Sequence, residues 1–403
     1  MTPRRRSPAA REHPHLKRTS SRPLGLIALV AVGALLAGCT ATAGAVVAPV
    51  PAAPPSITIS PASTTPANPV IPLVVAAHHG RLAKVTVTNV HSGVAVTGRT
   101  STDHRQWRSN EPLGYGQQYR ITARARRAGG KPVRRTRTVH TLSPAAQAYP
   151  TIIPTPSMSS VGIGQPIVVR FSKPVTDRAA AIKALHVTSS PPQPGAWYWM
   201  SDTGVHYRPR HYWKPGTNVT VHAKVYGVDL GHGVYGKTDR TVSFHIHDSW
   251  IAKANGATHR MTIIHNGQAI KTMPISLGKP STPTHRGPHV ISAKKPSVVM
   301  DSCTYGVCKG QSGYYRETVY LDERISNDGE FVHAAPWSEA AQGHRNVSHG
   351  CVNLSRADAK WFYQHFGPGD VVDVVHSGGP PLPVWDTYGD WELSWQQWKS
   401  GAR

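Results

Sequence analysis

The sequence predicts a mainly β protein built from several domains in series, and three observations carry this prediction. The chain has 403 residues, a length that suggests two to four domains. It contains 36 glycines and 35 prolines, whereas only 16% of its residues are charged, which favours short strands and turns over long helices. Apolar and polar residues alternate in short bursts along most of the chain, as expected of half-buried strands.

Residues 1–38 are typical of an export signal. A basic, Pro/Ser-rich stretch precedes an uncharged apolar run from Leu24 to Gly38, which is a little short for a membrane-spanning helix. The run ends in Leu36-Ala37-Gly38-Cys39, which resembles a bacterial lipobox and implies cleavage before Cys39 and acylation of its thiol. We therefore expect a lipoprotein signal peptide and a lipid-anchored chain on the outer face of the membrane. The alternatives are an uncleaved anchor, or an ordinary signal in which Cys39 is incidental.

Residues 39–72 predict a tether, because their Ala/Pro/Thr-rich composition cannot bury a core. The tether is expected to merge into a first strand near Ile57–Ile59.

Residues 73–143 and 148–248 predict two β-sandwiches of immunoglobulin-like type. Alternating segments such as Tyr119–Ala125 are punctuated by glycine turns, and the pattern recurs: Gly116 and Gly216 each precede an alternating strand, a Gly-rich turn and a closing strand. The paired cysteines of antibody domains are missing, so this prediction depends on strand spacing alone.

The formal net charge is +24, and the chain remains basic without residues 1–38. A basic body suits an anionic polymer, either nucleic acid or a phosphate-rich cell wall, and the alternative is that the charge serves general solubility. The body of the chain has no compact Lys/Arg run with interleaved aromatic residues, so we expect no nucleic-acid partner. The histidines of the two sandwiches match no common ligand spacing, and neither a metal nor a cofactor is expected.

Residues 249–378 predict a third, catalytic domain. Asn266-Gly267 between two apolar runs indicates a β-hairpin, Ser355 begins a helix that ends near Gly367, and Val371–Val375 reads as a buried strand. The tail, residues 379–403, contains four of the eleven tryptophans. We expect it to form a flap against the second sandwich or the catalytic domain.

The reactive side chains are concentrated between His333 and Asn353. His333 is followed, after 14 residues, by Ser348-His349-Gly350-Cys351-Val-Asn353. A cysteine attacks a carbonyl carbon as its thiolate and needs a neighbouring base, and the spacing allows His333 and Cys351 to meet on neighbouring strands. A turn at Gly350 would expose backbone N–H groups to an oxyanion. The side chains of Ser348 and Asn353 would fix this turn.

Two other interpretations of these residues remain. Cys351 would be inert if it were a buried cysteine beside packing histidines. Alternatively, Cys303, Cys308, His333 and Cys351 would bind zinc, although a tight His-Gly-Cys turn positions ligands poorly.

The pattern H-x14-S-H-G-C-x-N resembles the signature of L,D-transpeptidases with a YkuD-type catalytic domain. Other matching stretches include Lys279–Thr284, Met300–Gly306 and Phe331–Ser338. The whole chain is similar to actinobacterial lipoprotein members that carry two immunoglobulin-like domains. The resemblance implies a YkuD-like β-sandwich with one short helix and a Trp-rich C-terminal flap.

The resemblance also implies the reaction. Cys351 would attack the carbonyl between meso-diaminopimelate and terminal D-alanine in a peptidoglycan stem tetrapeptide, as an acyltransferase. The acyl-enzyme would pass to a diaminopimelate amine and give a 3→3 crosslink, and β-lactams of the carbapenem type would be covalent inhibitors. The alternatives are an L,D-carboxypeptidase that uses water at the same site, and a non-catalytic scaffold that binds the wall through its sandwiches.

Site roles follow from the same resemblance. His333 would accept the thiol proton, oriented by the Ala334 carbonyl, and His349, Gly350 and Cys351 would build the turn and oxyanion site. Positions that would line the substrate channel or support it are Met300, Tyr305, Tyr315, Trp337, Ser348 and Asn353.

Cys303 and Cys308 bracket the expected lid and are not a general feature of the family. We hypothesise that they form a disulfide, which the oxidising exterior would maintain.

Overall fold

The computed structural model describes residues 53–62 and 65–401, and Tyr305 by its backbone alone. The predicted signal peptide and Cys39 lie outside these residues.

The first domain is a sandwich of two sheets with the strand orders β1-β2-β5-β4 and β3-β6-β7. Its core contains the inward residues of both sheets, among them Ile57, Val75, Trp107 and Ile121. Its strands are β1 Ser56–Ser60, β2 Val74–His78, β3 Arg81–Asn89, β4 Gly98–Thr100, β5 Gln106–Ser109, β6 Gln118–Arg126 and β7 Val133–His140.

The tether ends before its predicted boundary at residue 72, whereas the expected first strand near Ile57–Ile59 is confirmed. β1 pairs antiparallel with β2 from Ser56↔His78 to Ser60↔Val74, so the sandwich begins well before residue 73. Ile57 and Ile59 alternate with exposed neighbours and enter the core. Two buried isoleucines at period two outweigh the surrounding Pro/Ala/Thr composition, which is why composition misplaced the boundary.

The second domain has the strand orders β10-β17-β15-β12 and β13-β14-β11-β9, with β16 paired to β8. Its strands are β8 Ala146–Ala148, β9 Pro150–Ile153, β10 Ser160–Val161, β11 Ile167–Phe171, β12 Leu185–Ser190, β13 Gly195–Trp199, β14 Gly204–Pro209, β15 Asn218–Ala223, β16 Val234–Gly236 and β17 Arg240–Ile246. A short helix, α1 (Arg178–Ala184), which the sequence analysis missed, is capped by the Asp177 side chain.

The recurring glycine pattern marks the same position in both sandwiches. Gly116 and Gly216 have φ values of 63° and 77°, a region that favours glycine, and β6 and β15 begin two residues later.

The third domain contains two sheets that pack against each other. One has five strands in the order β20-β19-β18-β26-β21, and the other has four in the order β22-β23-β24-β25. Helix α2 (Arg356–His365) buries Phe362 in the core between them. The strands are β18 Trp250–Asn255, β19 Arg260–His265, β20 Gln268–Pro274, β21 Gly287–Val290, β22 Ala293–Asp301, β23 Arg316–Arg324, β24 Phe331–Ala334, β25 Val352–Leu354 and β26 Val371–Val375.

The local signals of this domain are confirmed. Asn266 and Gly267 have φ values of 49° and 84° in the β19–β20 hairpin. The Ser355 side chain caps α2 by accepting the Asp358 N–H at 3.1 Å. β26 is buried between β18 and β21.

The tail contacts both the second sandwich and the catalytic domain, where the sequence analysis left a choice between them. Its helix α3 (Trp395–Ser400) is capped by Ser394, and Trp398 stacks on Tyr198 at 4.9 Å. On the catalytic side, Tyr388 packs in one cluster with Val168 and Val290. The tail therefore joins the two domains through buried contacts.

Across residues 53–62 and 65–401, no helix combines the length and apolar composition that crossing a membrane requires.

Candidate active site

Two parallel strands bring the reactive segment together. β24 pairs with β25 in the register Val332↔Val352 and His333↔Asn353. His333 is therefore directly beside Asn353, and Cys351 immediately precedes β25. All three residues line one cavity of about 360 Å³. His333 and Cys351 are 18 residues apart in the sequence, and the pairing of β24 with β25 brings them to one cavity, as predicted.

The turn before Cys351 is held by Ser348. The Ser348 hydroxyl donates to the Cys351 carbonyl oxygen at 2.7 Å and accepts the Gly350 N–H at 3.1 Å. Gly350 has a φ of 125°, a conformation that side chains rarely adopt. Because the Gly350 N–H is already bound to Ser348, the remaining donors of the turn are the amides of His349 and Cys351.

Two threonines hold the same turn from the loop before β21. The buried Thr284 hydroxyl donates to the Gly350 carbonyl oxygen at 2.7 Å, and the Thr282 hydroxyl donates to the Ser348 carbonyl oxygen at 3.2 Å. The turn is therefore fixed by side chains about 66 residues away. Such preorganisation keeps backbone donors aimed without further cost during a reaction.

His333 is a buried imidazole with a defined tautomer. Its Nδ1–H donates to the Ala334 carbonyl oxygen at 3.0 Å, so Nε2 carries the free lone pair. Burial lowers the pKa of His333 to about 4, although the Ala334 carbonyl and the Asn353 side chain raise it. The ring is therefore neutral across the neutral pH range. Asn353 in turn donates to the Ser338 hydroxyl at 3.1 Å, which fixes its side chain.

Cys351 is a buried free thiol, 8% exposed, whose Sγ lies 3.7 Å from the Gly329 carbonyl oxygen. Burial raises the pKa of Cys351 to about 12, and the neighbouring carboxylate of Glu330 adds to this shift. The Phe331 backbone N–H acts in the opposite direction. The resting pair is thus a neutral thiol and a neutral imidazole.

The segment expected to act as a lid is the loop between β22 and β23, residues 302–315. The fully buried Ser302 hydroxyl donates to the Val307 carbonyl oxygen at 2.8 Å and accepts the Tyr315 N–H at 2.9 Å, which ties the ends of the loop together. Within the loop, Cys303 and Cys308 are joined by a disulfide. Because both sulfurs are bonded to each other, the zinc interpretation that grouped them with His333 and Cys351 is wrong.

The remaining predicted residues border the cavity in different ways. Met300 and Tyr315 line it together with Trp337, whose ring centroid lies 6.0 Å from that of His333 and which is 54% exposed. The His349 ring stacks on Tyr315 at 5.0 Å, and the Lys279 amine lies 3.1 Å from its Nε2. The side chain of Tyr305 is outside the described part of the structure.

Sequence reasoning missed several residues that hold the site. Lys279, Thr282 and Thr284 belong to a stretch whose resemblance was noted without a role, so their position in the motif was a usable signal. Ser302 and Ser338 likewise lie in the matching stretches Met300–Gly306 and Phe331–Ser338, where they were given no role.

Comparison with known proteins identifies the domains and the family of the chain. Residues 64–229 match a family profile described as a bacterial Ig domain, and residues 249–374 match one described as the L,D-transpeptidase catalytic domain. The chain is 44% identical over 330 residues to L,D-transpeptidase 2 of Mycobacterium tuberculosis (strain CDC 1551 / Oshkosh), which covers 82% of this chain and 80% of that protein. It is 32% identical over 400 residues to L,D-transpeptidase 5 of M. tuberculosis (strain ATCC 25618 / H37Rv), with 94% and 85% covered.

A solved structure shows the same relationship. The structure of the LD transpeptidase LdtMt1 in complex with imipenem is matched with a TM-score of 0.50 and 35% identity, over 58% of this chain and 100% of that one.

Proposed function

Since the chain belongs to the L,D-transpeptidase family, we propose that it forms 3→3 crosslinks between meso-diaminopimelate residues of peptidoglycan through a cysteine acyl-enzyme. The observation that carries this proposal is the placement of a neutral His333 and the free thiol of Cys351 in one cavity behind a preorganised turn.

The first half-reaction forms the acyl-enzyme. The Cys351 sulfur attacks the carbonyl carbon that joins meso-diaminopimelate to terminal D-alanine, while His333 Nε2 takes the thiol proton. The carbonyl oxygen becomes an oxyanion that the amides of His349 and Cys351 stabilise, an interaction of about 3 kcal/mol per donor. Collapse of the intermediate breaks the C–N bond. His333 then gives the proton to the leaving D-alanine nitrogen, and a thioester remains on Cys351.

The second half-reaction resolves the thioester. The side-chain amine of a second diaminopimelate attacks the thioester carbon and loses a proton to His333. The C–S bond breaks, the proton returns to the Cys351 sulfur, and an amide crosslink is released. The enzyme thus returns to its neutral pair without a cofactor.

The electrostatics determine how the thiol is activated. A thiol with a pKa of about 12 and an imidazole with a pKa of about 4 do not form a stable ion pair. Proton transfer must therefore accompany formation of the C–S bond, when the oxyanion is already receiving hydrogen bonds. Ala334 contributes by accepting the Nδ1–H, which leaves the Nε2 lone pair free to take the thiol proton.

Substrate recognition is assigned to the rim of the cavity. Met300, Tyr315 and Trp337 provide apolar and aromatic surface for the stem peptide. Tyr305 is assigned to the same channel from the family resemblance alone. Carbapenems carry an acyl group that mimics the donor, and they would acylate Cys351 in the same way. The solved complex of a relative with imipenem supports this expectation.

The site would act on the outer side of the membrane. We propose that residues 1–38 direct export and that Cys39 carries the lipid anchor, with the two sandwiches spacing the catalytic domain from the bilayer. This part of the proposal depends on the basic and apolar segments of the sequence and on the lipobox pattern.

The test is product analysis with tetrapeptide fragments. Purified chain should release D-alanine and form diaminopimelate–diaminopimelate dimers, and Cys351→Ala should do neither. His333→Ala should lose at least about 100-fold in rate, whereas His344→Ala, which changes an exposed histidine of the same domain, should keep it.

Each outcome decides between mechanisms. D-Alanine release without dimers in the presence of acceptor would establish a carboxypeptidase instead. Dimer formation by the Cys351→Ala variant would contradict the cysteine mechanism, and intact mass after carbapenem exposure should show one adduct that this variant lacks.

A further inference from the structure

A cluster of one histidine and two carboxylates lies beside the nucleophile turn and has no role in the reaction above. The Nδ1 atom of His285 lies 3.0 Å from Oε1 of Glu330 and 3.7 Å from Oδ2 of Asp328. The three atoms all lie within 4.8 Å of one another, and no other such group of three occurs in the described ranges 53–62 and 65–401.

The Glu330 carboxylate is held in a fixed orientation by its surroundings. The His285 backbone N–H donates to Oε1 at 2.8 Å, and His289 Nε2 donates to Oε2 at 3.2 Å. A carboxylate oriented through both oxygens resembles a metal ligand with its outer hydrogen bonds in place.

A second observation concerns a buried carboxylate that lies beside the cluster. Asp386 is fully buried, and its Oδ2 atom has no hydrogen-bond partner within the described residues. Its Oδ1 accepts the Asn327 N–H at 2.5 Å, which brings the carboxyl next to Asp328. Unpaired buried carboxylates are costly unless a cation compensates them.

From this geometry we propose that His285, Asp328 and Glu330 form a binding site for a divalent transition metal ion of the zinc class. A tetrahedral zinc ion with bonds of about 2.0–2.2 Å separates its ligand atoms by about 3.3–3.6 Å. The observed separations of 3.0 and 3.7 Å bracket that range. The imidazole selects against magnesium and calcium, which prefer oxygen ligands only.

Exposure around the cluster is compatible with an open fourth position. The side chains of His285 and Glu330 are 18% and 8% exposed, whereas that of Asp328 is 42% exposed. Asp328 therefore lies on the solvent side, where the ion would enter and where a water molecule would complete the tetrahedron.

The site would influence the nucleophile turn directly. A Cβ atom at Gly350 would lie 3.6 Å from Glu330 Cγ and Oε1, so the carboxylate packs against that turn. Burial is the main cause of the raised pKa of Cys351, and the charges of Glu330, Asp322 and Asp328 raise it further. A bound dication offsets two of these charges and would favour the thiolate.

The experiment measures metal binding without a competing thiol. In the full chain with Cys39→Ser and Cys351→Ser, zinc titration by calorimetry should show one tight site, and cobalt should give the intense visible absorption of tetrahedral coordination. Adding Asp328→Asn, a change at a partly exposed side chain that should not disturb folding, should weaken binding at least about 100-fold. His289→Phe removes only an outer hydrogen bond and should weaken it about 10-fold.

The matched control is His265→Ala. His265 Nε2 lies 3.1 Å from Asp248 Oδ2, and this pair has no third ligand among the described residues. The substitution therefore removes a histidine–carboxylate pair outside the proposed site, and zinc binding should be unchanged. His285→Ala provides a second variant that should also abolish the cobalt spectrum. The proposal is overturned if the starting chain has no tight site, or if Asp328→Asn and His285→Ala bind zinc as the control does.

Discussion

The Nδ1 atom of His333 lies 3.0 Å from the Ala334 carbonyl oxygen, and the pairing of β24 with β25 places His333 beside Asn353. This contact selects the tautomer with a free Nε2, and burial then keeps the ring neutral. The histidine is therefore ready to accept a proton at neutral pH without first losing one.

The pH dependence of acylation follows from this state. Because the pKa of His333 is lowered to about 4, the base form is complete at neutral pH and is lost as the pH falls through about 4. The rate of carbapenem acylation should therefore stay level from neutral pH down to about pH 5 and then decline. Stopped-flow measurements on the intact chain would test this, and a midpoint near 6.5 would show that the imidazole is not desolvated.

Removing the Ser348 hydroxyl should disorder the turn. Ser348→Ala loses the bonds to Gly350 N–H and the Cys351 carbonyl, so the free energy of unfolding should fall by about 1–3 kcal/mol. Acylation should slow by about 100-fold because the oxyanion donors lose their alignment. Ser281→Ala, at an exposed serine of the same domain, is the control. Equal acylation rates for the two variants would contradict a role for Ser348 in holding the turn.

Ser302 should protect the lid loop, residues 302–315, from local opening more than the disulfide does. A disulfide that closes so short a loop contributes about 2 kcal/mol at most to the free energy of unfolding. Ser302→Ala removes buried hydrogen bonds to Val307 and to Tyr315 at the end of the loop. Hydrogen exchange at 303–314 should rise further in Ser302→Ala than in the double variant Cys303→Ser, Cys308→Ser. Ser312→Ala should change little, and the reverse order would assign lid closure to the disulfide.

The joint between the tail and the second sandwich should fail without Arg208. Its buried guanidinium lies 4.6 Å from the ring centroids of both Trp391 and Trp398 and donates to the Leu393 carbonyl oxygen at 2.6 Å. Arg208→Ala should lower the free energy of unfolding by about 3 kcal/mol and expose the tail to proteases. Arg208→Lys should recover only part of this, since an ammonium lacks the planar fork. The exposed neighbour Arg210→Ala is the control, and proteolysis of the tail at equal rates in Arg208→Ala and Arg210→Ala would refute the prediction.

Much of the fold was predictable because its signals are local. Glycines before β6 and β15, the Asn266-Gly267 hairpin and the Ser355 cap each depend on residues within a few positions of one another. The short helices α1 and α3 were missed, because six or seven residues give too little periodicity to distinguish a helix from a loop. The start of the first sandwich was misplaced because tether-like composition surrounds a strand with only two core residues.

The sequence by itself determined the mainly β class, the three-domain order and the segment from His333 to Asn353 that holds the reactive side chains. Only the tertiary structure decided which groups surround that segment. Thr284 reaches Gly350 across 66 residues, Glu330 meets His285 across 45, and Arg208 meets the tail across 185. These contacts form when sheets and domains pack, so their partners are set by the packed geometry and not by spacing along the chain. The same packing removes water from Cys351 and His333 and so sets their protonation, which residue identity alone leaves at ordinary values.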